Sequence, residues 1–221
     1  MQISERSRPT DVSSRRAPAH RDRTVKRVAR AARVALSAGR GVSPELIADV
    51  CAQIGLHPHA FRTLLPTDDD LLDEVNEILV SECADRLKAG IARFRPVGSG
   101  DAVFVQAAEA LAASWPLDCA GLTIRAERRF RALRDGRHGN AAVAGDRRFA
   151  AELAGVFEDL MVVLGRKFAW PPRLAVRVII DTYERSFEAW VLDGNPESQF
   201  EESPFVQRTL PTLLREMSVP T

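Results

Sequence analysis

Apolar residues recur at every third or fourth position from Thr24 onward, the spacing that lines one face of an α-helix. Val25, Val28, Ala29, Ala32 and Leu36 form the first stripe, with Lys26, Arg27, Arg30 and Arg33 largely on other faces. Gly39 and Gly41 stop that helix. Ser43-Pro44-Glu45 opens a second one. Serine is a good N-cap, proline suits the first helical position, and the glutamate meets the positive end of the dipole. Leu46, Ile47, Val50 and Cys51 form its inner stripe, and Gly55 ends it. Leu56-His57-Pro58 predicts a tight turn into a short third helix, about residues 58–65, with Phe61, Leu64 and Leu65 facing inward. Pro66 terminates it, and Thr67 caps a long fourth helix over about residues 68–94, striped by Leu71, Leu72, Val75, Leu79, Cys83, Leu87 and Ile91.

The pattern continues after "RPVGSG" with helices near 101–115, 117–135, 145–168, 172–193 and 204–217. Pro116, "DGRHGN" and Trp170-Pro171-Pro172 punctuate them, and Pro211 kinks or splits the last. Strict alternation is scarce, so the expected class is all-α. Residues 1–20 hold too few large apolar groups to offset the entropy of ordering and read as a disordered basic arm.

Charge adds an asymmetry to this picture. Residues 1–40 carry eleven Lys/Arg against three acids, a net of +8; with +1 for the whole chain, residues 41–221 carry −7. A basic arm on an acidic body points to a polyanionic partner as readily as to a solubilising tail. The three cysteines, Cys51, Cys83 and Cys119, are widely spaced and lack metal-ligand spacing, which predicts reduced thiols in a cytoplasmic protein. No apolar run is long enough to span a bilayer, so no membrane partner is expected. Motifs for nucleophilic, phosphate-binding or zinc chemistry are missing, and neither an enzyme nor a cofactor is expected. His57 and His59 flank a proline without a Cys or carboxylate at ligand spacing, so no metal site is read there.

Residues 23–75, "RTVKRVARAARVALSAGRGVSPELIADVCAQIGLHPHAFRTLLPTDDDLLDEV", combine one helix, a helix-turn-helix and a long linking helix. In order and spacing this quarter of the chain resembles the TetR/AcrR family of bacterial transcriptional regulators. The resemblance implies a three-helix reading head over 21–67, followed by a helical ligand-binding and dimerisation domain over 68–221, with helix 68–94 joining them. It implies a homodimer whose third helices enter successive DNA major grooves. His57, His59, Arg62 and Thr63 would then face bases and backbone, Ser43 and Thr67 would touch phosphate, and Arg21, Arg23 and Lys26 would add phosphate or minor-groove contacts. The chain departs from the family pattern where Tyr, Phe and Lys are usual and it has Arg62, Leu65 and Asp68. Asp68, Asp69 and Asp70 suit the positive end of the fourth helix but repel phosphate. Whether this head binds an operator or belongs to a sensor that has lost one stays open at this point.

The same resemblance implies an effector pocket, and Trp115, Phe130, Phe157, Met161, Tyr183 and Phe187 are the aromatic and sulfur residues placed to line it for a small apolar ligand. Val178, Trp190, Val191, Phe205 and Leu213 lie on the last two long helices, whose broad apolar surface the family uses for the dimer. The stretch 124–137 holds six arginines spread around a helix, which predicts surface pairing with nearby acids rather than one basic stripe.

Overall fold

The computed structural model describes residues 13–38, 40–115, 118–135 and 139–221. Helices dominate it: α1 (Ser13–Ser37), α2 (Pro44–Ile54), α3 (Pro58–Leu64), α4 (Asp68–Arg93), α5 (Asp101–Ser114), α6 (Cys119–Asp135), α7 (Gly139–Val163), α8 (Pro172–Leu192) and α9 (Leu210–Glu216). Their starts follow from local chemistry. The Ser43 hydroxyl accepts from the Leu46 N–H at 3.2 Å. Thr67 and Asp70 form a reciprocal capping box at the start of α4. Gly55 closes α2 in the left-handed region, φ +66°, where any β-carbon would be strained.

Four features depart from the sequence expectations. Helix α1 begins at Ser13, inside the stretch read as disordered, where Arg15, Arg16, Ala17 and Ala19 are good helix formers. Residues 1–12, Gly39, Pro116, Leu117 and 136–138, His138 among them, lie outside the described residues. The helix expected over 145–168 is displaced to Gly139–Val163, because Gly165 takes φ +65° and turns the chain out. It turns into a short strand, β1 (Arg166–Phe168), antiparallel to β2 (Ser218–Pro220), with Arg166 opposite Pro220. The last expected helix is divided into a 3-10 turn (Glu197–Glu202), a wider π turn (Phe205–Thr209) and α9. Pro211 sits in the first turn of α9, where its missing N–H costs least.

Two apolar cores share α4. The first gathers Val28, Ala32, Leu46, Val50, Phe61, Leu71, Leu72 and Val75, and it also takes in Ile124 from α6. The second runs from Val80 along α4 into α5, α7, α8 and α9, with Leu111, Leu153, Leu160, Ile179, Tyr183 and Leu210 fully enclosed. Asn76, 3% exposed, lies on α4 between them, and its Oδ1 has no hydrogen-bond partner. Such an atom is costly, and it marks the joint where neither core supplies a donor. No helix among the described residues is long and apolar enough to cross a membrane.

Candidate nucleic-acid interface

Phe61 is fully buried under α3 and fixes which side of that helix faces out. His59, Arg62 and Thr63 are exposed as a result. A groove of about 510 Å³ runs between α1 and α3 and is lined by Arg21, Thr24, Leu56, His59, Ala60, Thr63 and Leu64. Three expected contact residues, Arg21, His59 and Thr63, therefore meet at one place. Arg23 borders an adjoining hollow with Thr24, Arg27 and Leu56, and Lys26 is exposed one turn further along α1. The polar side chains near the turn are already in use locally. His57 caps α3 by accepting from the His59 N–H at 3.2 Å, and Thr63 Oγ1 donates to the His59 carbonyl at 3.0 Å. Thr67 Oγ1 accepts from the Asp70 N–H at 3.1 Å and donates to the Asp70 carboxylate at 2.7 Å. Ser43, likewise, is a cap and is half-buried.

Arg62 lies at the edge of this face with its guanidinium 5.6 Å from the Phe61 ring centre. Its Nη2 donates to Asp68 Oδ1 at 3.0 Å. The cation and the anion that the family resemblance sets against each other at DNA are thus bound to each other. Arg131 of α6 reaches the same carboxylate from the other side, 3.7 Å from Oδ2, and is 3.6 Å from Asp69 Oδ1.

A search of solved structures finds the same architecture elsewhere. A candidate TetR-family transcriptional regulator from Mesorhizobium loti MAFF303099 superposes with a TM-score of 0.58, over 89% of this chain and 96% of that one, at 16% identity. The chain has the TetR-type fold. No protein-family model matches the sequence, and no curated protein matches it. In a TetR-type chain α2 and α3 are the helix-turn-helix and α4 leads into the C-terminal half.

That half differs in two respects from the pocket and interface expected of it. Trp115 stacks on Tyr183 with ring centres 4.2 Å apart and planes 8° apart, and Phe157 packs edge-on against Trp115 at 6.1 Å. With Met161 and Phe187 they are all at most 6% exposed, so these five residues are packed core. Phe130 is not among them and is 59% exposed. Helix α6 turns Ile124, Arg125, Arg128 and Ala132 inward, and position 130 falls on the opposite face. Phe205, expected between subunits, is 8% exposed; the π turn swings it inward onto Phe200 and Tyr183. Val178, Trp190, Val191 and Leu213 are half-buried against their own core. Leu174 and Leu192 are the more exposed apolar residues of α8, at 51% and 79%.

The open space lies elsewhere. A cleft of about 490 Å³ between α6, α7 and α8 is lined by Leu122, Arg129, Asp146, Asp181, Glu184 and Val191, among others. Glu184 and Arg125, 5% and 9% exposed, pair with each other at its inner edge, and Arg129 Nη2 stands 3.5 Å from Glu184 Oε2. Burial pushes the Glu184 carboxyl up from its ordinary range, against the pull of Arg125 and Arg129. Sequence reading missed this cleft because it treats arginine and glutamate on a helix as solvent-facing. It also missed Phe200, which contacts Tyr183, Phe187, Trp190 and Phe205 from inside a polar stretch. The signal was a lone aromatic in "NPESQFEES". Among the described residues no group of three His, Cys, Asp or Glu is placed to hold a metal ion. Burial raises the Cys83 thiol to about 12, which suits a packing role over a nucleophilic one.

Proposed function

We propose that the chain is a homodimeric, ligand-responsive transcriptional regulator that binds double-stranded DNA through α3 and acts as a repressor. The observation that carries this reading is the convergence of Arg21, His59 and Thr63 on one exposed groove, with Arg23 and Lys26 beside it, on a TetR-type scaffold. The arginines and lysine supply phosphate attraction, and His59 and Thr63 project from the helix that enters the major groove. An effector docks in the α6–α8 cleft rather than among the packed aromatic residues. Its lining of Arg129, Asp146, Asp181 and Glu184 beside Leu122 and Val191 suits a ligand that carries charge on an apolar body. Binding there releases DNA by favouring a geometry in which the two reading helices no longer match adjacent grooves.

Selection of bound fragments from genomic DNA, followed by affinity measurements at several salt concentrations, tests the DNA half. The expected result is an enriched sequence with a log–log salt slope of at least several units in magnitude. A slope near zero, or no retained fragment at low salt, removes the reading.

The Arg62–Asp68 pair favours a second reading, a TetR-type dimeric sensor without operator affinity. Asp68→Lys separates the two. In a working regulator it only tightens binding to the existing site; in a sensor that has lost DNA it creates weak, salt-sensitive binding with no sequence preference.

A further inference from the structure

We propose that Arg131 of α6 is a positioning residue for DNA contact: it holds Asp68 and Asp69 so that Arg62 is left able to reach phosphate. The inference rests on the DNA-binding reading above. Asp68 divides its two oxygens between two arginines, Oδ1 to Arg62 at 3.0 Å and Oδ2 to Arg131 at 3.7 Å. The two arginines are not equivalent. Arg131 is the fixed one: its side chain is 19% exposed, its Nε donates to Glu127 at 2.7 Å, and it also faces Asp69 at 3.6 Å. One turn away on the same helix, Arg128 is 8% exposed and pairs with Asp73 of α4, which pins α6 against α4. Arg62 is the more exposed partner, its side chain 42% exposed at the outer edge of α3.

The consequence is a competition for one carboxylate. With Arg131 in place, the charge of Asp68 is already half answered, and Arg62 leaves it at small cost when a phosphate approaches. Without Arg131, Asp68 keeps Arg62 as its ion partner and binds it more tightly, and its charge at the start of α4 repels the backbone of DNA. Arg129, two residues before Arg131 on α6, lines the cleft, so a ligand there acts on the helix that carries this clamp.

The test uses the full chain and a fluorescein-labelled duplex of mixed sequence about three helical turns long, titrated between about 50 and 200 mM salt. Arg131→Gln is expected to weaken binding about tenfold and to lower the log–log salt slope by about one unit, the loss of one phosphate contact. Asp68→Asn added to Arg131→Gln restores both, and Arg131→Lys, which keeps the charge, retains most of the affinity. Unchanged binding in Arg131→Gln overturns the proposal, and so does a loss that persists in the double variant, since Arg131 would then act directly or through the fold. A DNA-free readout keeps this separate from the functional reading. By NMR, rotation of the Arg62 guanidinium slows in Arg131→Gln and quickens in Asp68→Asn. If rotation behaves so while the wild-type chain binds no duplex, the DNA reading fails and the shared carboxylate stands; unchanged rotation overturns the shared carboxylate itself.

Discussion

Asp68 serves one helix and burdens another. At the first turn of α4 it meets the positive end of the helix dipole, and Asp70 beside it completes the capping box with Thr67. At the end of α3 the same charge occupies Arg62. Ser43 and Thr67 carry a related tension, because each hydroxyl that the family resemblance assigns to phosphate is already a cap. A second charged residue, Glu74, has a measurable consequence. Burial, then the neighbouring Glu77, Asp73 and Asp22, raise its carboxyl above the usual range, and Lys26 only partly opposes them. The folded chain then holds the Glu74 proton more firmly than the unfolded chain does. Stability from this group is full below the ordinary glutamate value of about 4.3 and is lost as pH rises through the raised one. Glu74→Gln is expected to raise Tm at neutral pH, with the gain vanishing below about pH 4, as differential scanning calorimetry across pH would record.

Helix contacts carry the next level of constraint. Gly90 of α4 lets Ser114, the last residue of α5, approach so closely that an added β-carbon would lie 1.9 Å from its Oγ and 2.6 Å from its Cβ. A short side chain cannot swing clear, so the helices must part. Gly90→Ala should cost about 1–3 kcal/mol by overpacking, and Ser114→Gly in the same chain should recover most of it, both measurable by urea denaturation. Most elements were legible because their signals are local. Ser43-Pro44, Gly55 and Thr67–Asp70 each announce a helix end within four residues. What escaped depends on distant partners. Arg125 and Arg128 are buried because Glu184 and Asp73, 59 and 55 residues away in sequence, answer their charge. Nothing in the spacing of "IRAERRFRALRDGR" distinguishes those two from the exposed Arg134. The pairing of β1 with β2 joins segments of three residues each, too short for alternation to show. Near the N-terminal core, helix faces alone bring Arg21, His59 and Thr63 to one groove, whereas the bond between Arg62 and Asp68 depends on rotamers at the α3–α4 turn.

At the scale of the molecule, the proposed dimer puts Leu174 and the half-buried Val178 of α8 against a second copy. Leu174→Asp with Val178→Asp should shift the particle from twice 24.4 kDa to a single chain in sedimentation equilibrium. Duplex affinity should fall with it, because half-sites about 34–36 Å apart need two heads. Ile124 bears on a different matter. It is a residue of α6, yet it is 3% exposed and belongs to the core of the reading head, which also extends along α4 to Val75. The head is therefore not a detachable module. A chimera that joins residues 1–75 to a foreign sensor would leave an open seat where Ile124 belongs and three aspartates, Asp68, Asp69 and Asp73, without the α6 arginines that face them. Moving this N-terminal core to another TetR-type scaffold would require transplanting the inward face of α6 with it, although more than forty residues of chain separate the two.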